Sequence, residues 1–141
     1  MIYLDSSALL KLLVEETESA ALALWISEQP RTPVVSSEVA RVEVIRAARR
    51  LDEVVVPAAR TLMAQIDLIP LRSGLIDQAA DVGEPALRSL DAIHLASALA
   101  ISADLTTFVA YDQRLLAAAR SANLEINSPG ATSGREPPAD R

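Results

Sequence analysis

A chain of 141 residues that is 50% hydrophobic has the size and apolar content of one compact domain with its own core. It has no cysteine, which excludes disulfides, zinc–thiolate centres and thiol nucleophiles, and its single His excludes a poly-His metal site, so any metal must rest on oxygen ligands. The net charge of −6 argues against a broadly basic nucleic-acid surface, but twelve of the thirteen basic residues are Arg, and four of them (Arg41, Arg46, Arg49, Arg50) fall within one ten-residue stretch.

In chain order, Ile2-Tyr3-Leu4 reads as a short buried strand. Asp5, Ser6 and Ser7 follow as helix-start residues before the apolar-periodic run Ala8 to Val14. Thr17 to Glu28 is a second helix, closed by Pro30 and Pro33, and Val34-Val35 is a second strand. Ser36 or Ser37 caps a helix running to Leu51, and Leu51 to Glu53 turns into another helix over Val54 to Asp67. Leu68 to Leu71 is a third strand, which Pro70 assigns to an edge or an end. Ser73 to Val82 is helical, Gly83-Glu84-Pro85 breaks the chain, and Ser89 is the expected N-cap of a helix from Leu90 to Ala103. Thr106 to Ala110 is a strand, Asp112 to Arg120 a helix and Leu124 to Ile126 a last strand. From Ser128 the sequence is Gly, Pro, Ser and charge, so residues 128–141 are expected to form a disordered tail behind a domain of residues 1–127. Strands alternating with helices predict an α/β fold with a parallel sheet between helical layers, whose ligand site lies beyond the carboxyl ends of the strands. There is no basic leader, and the longest apolar run, Ala20 to Ile26, is too short to span a bilayer. The expectation is a soluble cytoplasmic protein.

Four carboxylates stand out. Asp5 and Asp112 each follow a strand and open a helix, where free N–H groups favour an anion. The plainer reading of both is a helix cap, although Ser6 and Ser7 can relieve Asp5 of that task. Asp91 sits in the first turn of a helix that is apolar almost all round, and a carboxylate at the front of a buried helix has to be paired or bound to a cation. Glu43 lies between Val42 and Val44 in mid-helix, a placement that favours a cleft; the plainer reading is a pair with Arg46 or Arg50. Glu38, in the first turn of the same helix, is explained by the helix dipole. Two carboxylates about 4 Å apart repel by roughly 4 kcal/mol at an effective dielectric of ~20. If these four converge, cations must relieve them, and hard divalent ions with oxygen ligands such as Mg²⁺ or Mn²⁺ are suited to that. The chemistry that uses such a site is phosphoryl transfer.

The segments Met1-Ile-Tyr-Leu-Asp5-Ser-Ser-Ala-Leu-Leu-Lys11, Ser37-Glu-Val-Ala-Arg-Val-Glu43-Val, Leu90-Asp91-Ala-Ile-His94-Leu-Ala and Val109-Ala-Tyr-Asp112-Gln-Arg-Leu115, in this order and spacing, resemble PIN domains of the VapC toxin group. The resemblance spans residues 1–127. It implies a three-layer α/β sandwich, endonucleolytic cleavage of RNA at an acidic Mg²⁺ or Mn²⁺ site, and inhibition by a cognate antitoxin. By position, the family's metal-binding acids fall on Asp5, Glu43, Asp91 and Asp112, and its hydroxyl after the first Asp falls on Ser6. Many relatives carry Thr or Ser two positions before the last Asp; here that position is Ala110, which puts a second metal in question. The resemblance also implies a homodimer, and an antitoxin segment lying along the groove near residues 37–66 and inserting an Arg among the carboxylates. Lys11, Arg41, Arg46 and Arg114 are candidates for guiding phosphate. His94 reads as a core-edge residue bonded to a neighbour rather than a general base, and Trp25 as core or interface. With four aromatic residues in all, base stacking contributes little. A non-catalytic PIN-like binding module is the main alternative. A phosphatase with Asp5 as nucleophile ranks below it, because the position two residues later is Ser7.

Overall fold

The computed structural model describes residues 1–132. Five strands, β1 (Ile2–Leu4), β2 (Val34–Ser37), β3 (Asp67–Ile69), β4 (Thr107–Val109) and β5 (Ile126–Asn127), form one parallel sheet in the order β3-β2-β1-β4-β5. Tyr3 lies opposite Val35 on one side and Phe108 on the other. As the central strand, β1 is buried on both faces, which is why it is a continuous apolar run.

Side chains alternate across the sheet and divide the core in two. Ile2, Leu4 and Val109 pack with Leu9, Leu22, Val44 and Ala59, from the helices α1 (Ser6–Leu13), α2 (Ser19–Ser27), α3 (Val39–Leu51) and α4 (Val56–Ala64). Tyr3, Val35, Phe108 and Ala110 pack on the opposite side with Leu95 of α6 (Ser89–Ala100) and Leu115 of α7 (Gln113–Ser121). The helix α5 (Ser73–Asp81) covers α6 through Leu75, Ala79 and Ala96. These are the three layers of the expected sandwich. Trp25 packs against the core, partly buried. No helix among the described residues is long and apolar enough to cross a membrane.

The structure moves several expected boundaries, each for a local reason. The helix expected from Val54 begins instead with a 3-10 turn, Glu53–Val55, opened by Asp52 accepting from Val54 N at 3.0 Å. Pro57 then sits in the first turn of α4, where its missing N–H costs nothing. β3 lies at the sheet edge, in keeping with Pro70. Glu38 precedes α3 and accepts from Leu71 N at 3.0 Å, so it ties down the chain beyond β3 rather than only serving the helix dipole. Ser89 is already helical, and the cap position of α6 falls to Arg88, in an extended conformation. β5 starts later than expected because α7 ends on a left-handed Asn123 (φ 65), which turns Leu124 into the core. Of the expected tail, residues 128–132 are described, and part of this stretch is bound to the domain. Ser128 Oγ donates to the Ala110 carbonyl (2.6 Å), and Tyr111 donates to the Pro129 carbonyl (2.7 Å). Gly130 (φ 82) sits so close to α2 that a Cβ there would lie 2.7 Å from the Ala21 methyl. The remainder of that expected tail, residues 133–141, lies outside the described residues.

Candidate active-site cleft

Because β1 and β4 are neighbours, the chain segments leaving their carboxyl ends lie side by side, and α3 and α6 approach the same edge of the sheet. The five residues selected from the sequence, Asp5, Ser6, Glu43, Asp91 and Asp112, line a single cleft of about 420 Å³ there.

Asp5 is the N-cap of α1. Its Oδ1 accepts from Ala8 N at 2.9 Å and from Ser7 Oγ at 2.7 Å. This corrects the expectation that Ser6 and Ser7 relieve Asp5 of capping: Ser7 supports Asp5, and Ser6 turns to Glu43. Both bonds fall on Oδ1, which leaves Oδ2 for the cleft. Burial pushes the Asp5 carboxyl above its ordinary range, against the Ser7 hydroxyl, His94 and the Ala8 amide, while the Asp91 charge adds to the rise.

Glu43 is divided in the same way. Its Oε1 accepts from Ser6 Oγ and from His94 Nε2, each at 2.7 Å. The intrahelical Arg pair considered from sequence is not what holds it. Burial acts to raise its carboxyl, but the His94 hydrogen bond, Ser6 and Arg88 together leave it below its ordinary value. His94 is buried and bonded on both sides, with Tyr3 OH at 2.7 Å from Nδ1. Asp112 caps α7 through Oδ1, which accepts from Leu115 N at 3.0 Å.

Asp91 and the other oxygen of Asp112 share a residue that the sequence reading missed. Arg88 donates from Nε to Asp91 Oδ2 (2.9 Å) and from Nη2 to Asp112 Oδ2 (3.4 Å), with 68% of its side chain exposed. Its spacing from Asp91, three residues along a helix start, was a signal for one of these bonds; nothing local announces the other. Of the phosphate-guiding candidates, only Arg46 lines the cleft, joined by Arg50 and Arg88. Lys11 is bound to Glu18 (2.8 Å) and Glu16 (3.1 Å) and lies 4.7 Å above the Tyr111 ring. Arg41 and Arg114 border separate depressions. Ala110 is fully buried in the layer shared with α6 and α7 and brings no hydroxyl to the cleft.

Among the described residues no three acidic or imidazole groups converge into a ready-made metal cage. The donor set still fits Mg²⁺ or Mn²⁺. Mg²⁺ dehydrates reluctantly and binds through one or two carboxylates, with waters and substrate phosphates completing its octahedron. Asp5 and Glu43 each offer a carboxylate whose first oxygen is fixed by protein donors and whose second is left over.

A PIN domain family model matches residues 2–121. Ribonuclease VapC47 of Mycobacterium tuberculosis is 42% identical over 134 residues, which cover 93% of this chain and 98% of that protein. Ribonuclease VapC35 of the same species is 41% identical over 132 residues, covering 92% and 98%. Two solved structures share the fold. M. tuberculosis VapC20, described as a Sarcin-Ricin loop cleaving toxin, superimposes with a TM-score of 0.68 at 20% identity over 84% of this chain and 95% of that one. FitAB bound to an IR36 DNA fragment gives 0.68 at 16% identity over 96% and 100%.

Proposed function

The chain belongs to the PIN-domain family, and from that premise we propose that it is a divalent-metal-dependent endoribonuclease toxin of the VapC type, restrained by a cognate antitoxin. Relatives that match nearly the whole chain are ribonucleases by name, which favours this reading over a non-catalytic scaffold. The observation that carries the chemistry is the convergence of Asp5, Glu43, Asp91 and Asp112 on one cleft, with Asp5, Glu43 and Asp112 each fixed through one oxygen by protein donors.

In this reading Asp5, Glu43 and Asp91 would hold the principal ion, and Asp112 would hold it through water or serve a second one. When bound, Mg²⁺ or Mn²⁺ supplies Lewis-acid activation of water and neutralises charge building on the phosphodiester. The chain's own residues do the rest. Ser6 fixes one oxygen of Glu43. Arg88 spends two of its five N–H donors on Asp91 and Asp112 and keeps the others for a phosphate oxygen. Arg46 and Arg50 flank the cleft from α3 and suit the RNA backbone on either side of the cut. The apolar rim formed by Val39, Val42 and Leu90 suits an antitoxin segment lying along the same groove. The family resemblance extends this reading to a homodimer acting in the cytoplasm.

The test is cleavage of a panel of structured and single-stranded RNAs by antitoxin-free protein, with Mg²⁺, with Mn²⁺ and with EDTA, beside Asp91→Asn. Cleavage that needs the metal and vanishes in the variant is expected. Cleavage that persists in EDTA, or in Asp91→Asn, would refute the assignment.

A further inference from the structure

Four hydrogen-bonding side chains connect the interior of the sheet to the cleft. Tyr3, on β1, is fully buried and stacked on Phe108 with ring centroids 5.2 Å apart and planes 8° from parallel. It meets His94 of α6 edge-on, at 5.9 Å and 81°, with its hydroxyl 2.7 Å from Nδ1. The opposite nitrogen, Nε2, lies 2.7 Å from Glu43 Oε1 and 3.1 Å from Ser6 Oγ, and Ser6 donates to the same Oε1 at 2.7 Å. Glu43 is the member that reaches the cleft with a free oxygen.

An ionised carboxylate only accepts, so Nε2 has to carry a hydrogen. The Tyr3 hydroxyl, fully buried 2.7 Å from Nδ1, is placed to donate to it. That bond selects the tautomer that leaves the proton on Nε2. Two donors from different elements thus converge on one oxygen of Glu43. A core histidine that only needed satisfying could use a backbone carbonyl; this one bridges 51 residues, from one helical layer to the other, to reach a cleft carboxylate.

We propose that His94 is a positioning residue of the RNA-cleaving site: held by Tyr3, its Nε2–H joins Ser6 in clamping one oxygen of Glu43, so that the other is presented to the divalent cation. This rests on the metal-dependent reading above. Groups that orient a metal-binding side chain in this way are worth roughly 10- to 100-fold in metal affinity or activity.

The chain has a single His, so ¹⁵N-histidine labelling gives one unambiguous imidazole spectrum of the metal-free protein. The expected spectrum at neutral pH is a protonated Nε2 and an unprotonated, hydrogen-bonded Nδ1. Tyr3→Phe should mix the tautomers and weaken Mn²⁺ binding measured by calorimetry. His94→Gln, whose amide nitrogen can take the place of Nε2, should keep most of the Mn²⁺ affinity. His94→Leu should lose roughly 10- to 100-fold in Mn²⁺ affinity and in kcat, with KM for a labelled RNA stem-loop that the wild type cleaves left nearly unchanged. An unprotonated Nε2 in the wild type would overturn the proposal, and so would a folded His94→Leu protein that binds Mn²⁺ and cleaves like the wild type. If His94→Leu does not fold, Tyr3→Phe carries the contrast at almost constant volume: an unchanged imidazole spectrum with unchanged Mn²⁺ affinity refutes the clamp. Wild-type protein with the expected tautomer that neither binds Mn²⁺ nor cleaves RNA would instead count against the metal-dependent reading.

Discussion

Replacing Asp5 with Asn and, separately, with Ala separates the structural work of this side chain from its charge. Asp5 is 4% exposed and uses Oδ1 for two bonds, from Ala8 N and Ser7 Oγ. Asn keeps an oxygen at that point and puts a neutral amide where the second carboxylate oxygen lay. Ala removes both bonds. Losing the helix cap costs about 0.5–2 kcal/mol, and the Ser7 bond contributes about 1 kcal/mol more. For a chain of this size about 1 kcal/mol is worth about 3 °C, so Asp5→Ala should melt roughly 5–9 °C below the wild type in EDTA. Asp5→Asn should melt at or above the wild type, because burial disfavours the charge it removes. The pH dependence follows from the sign of that shift. With its carboxyl raised in the fold, the native state holds the Asp5 proton more tightly than the unfolded chain does. Its contribution to stability is therefore complete below the ordinary Asp range and is lost as pH rises through the folded value. The advantage of Asp5→Asn should accordingly appear at neutral pH and fade in acid. Magnesium at a hundred times its dissociation constant should stabilise the wild type by about 2.7 kcal/mol and Asp5→Asn far less. Calorimetric melts in EDTA and in Mg²⁺, beside an RNA cleavage assay, measure all of this. An Asp5→Asn protein that is less stable than wild type in EDTA at neutral pH, or that still cleaves RNA, would refute the reasoning.

Other substitutions probe separate parts of the structure. Arg88→Ala should leave the melting temperature almost unchanged, since exposed ion pairs contribute about 0–1 kcal/mol, yet lower cleavage more than about tenfold at saturating metal, as expected of a charge-assisted phosphate contact; steady-state kinetics that match the wild type would remove Arg88 from substrate binding. Leu9→Ala, at a fully buried position in the core between the sheet and α1–α4, should cost about 2–5 kcal/mol in urea unfolding with little change in the m-value. Burial, with the charges of Glu18 and Asp5, pushes the Tyr111 hydroxyl up to about 12. Its share of stability is present below the ordinary Tyr value and is lost as pH rises through about 12, so Tyr111→Phe should show a shallower alkaline loss of stability. Because the same change breaks the bond to the Pro129 carbonyl, it should also speed amide exchange around residues 128–130.

The alternation of apolar strands with amphipathic helices was enough to establish a parallel α/β sandwich, since each element has to bury its own face and the period of that face is local. The helix-opening acids were legible for the same reason. Asp5 and Asp112 follow strands, and in a parallel sheet every such position lies at one edge. Glu43 was legible from a charged residue set between two Val. Three things required the tertiary structure. The strand order places β1 beside β4, and only that makes Asp5 and Asp112 neighbours. The partners of Glu43 come from 37 and 51 residues away, so the clamp on Oε1 leaves no periodic trace in the sequence. Arg88 reaches Asp112 across 24 residues, and Lys11, which reads as a free cation, is drawn into Glu16, Glu18 and Tyr111. Composition likewise assigned Ser128 to a tail, although its hydroxyl and the Pro129 carbonyl are bound to the strand end ahead of Asp112. Local periodicity records which face a residue buries. Which distant residue meets it there depends on how the layers close over one another, and the chemistry of this cleft lies in those meetings.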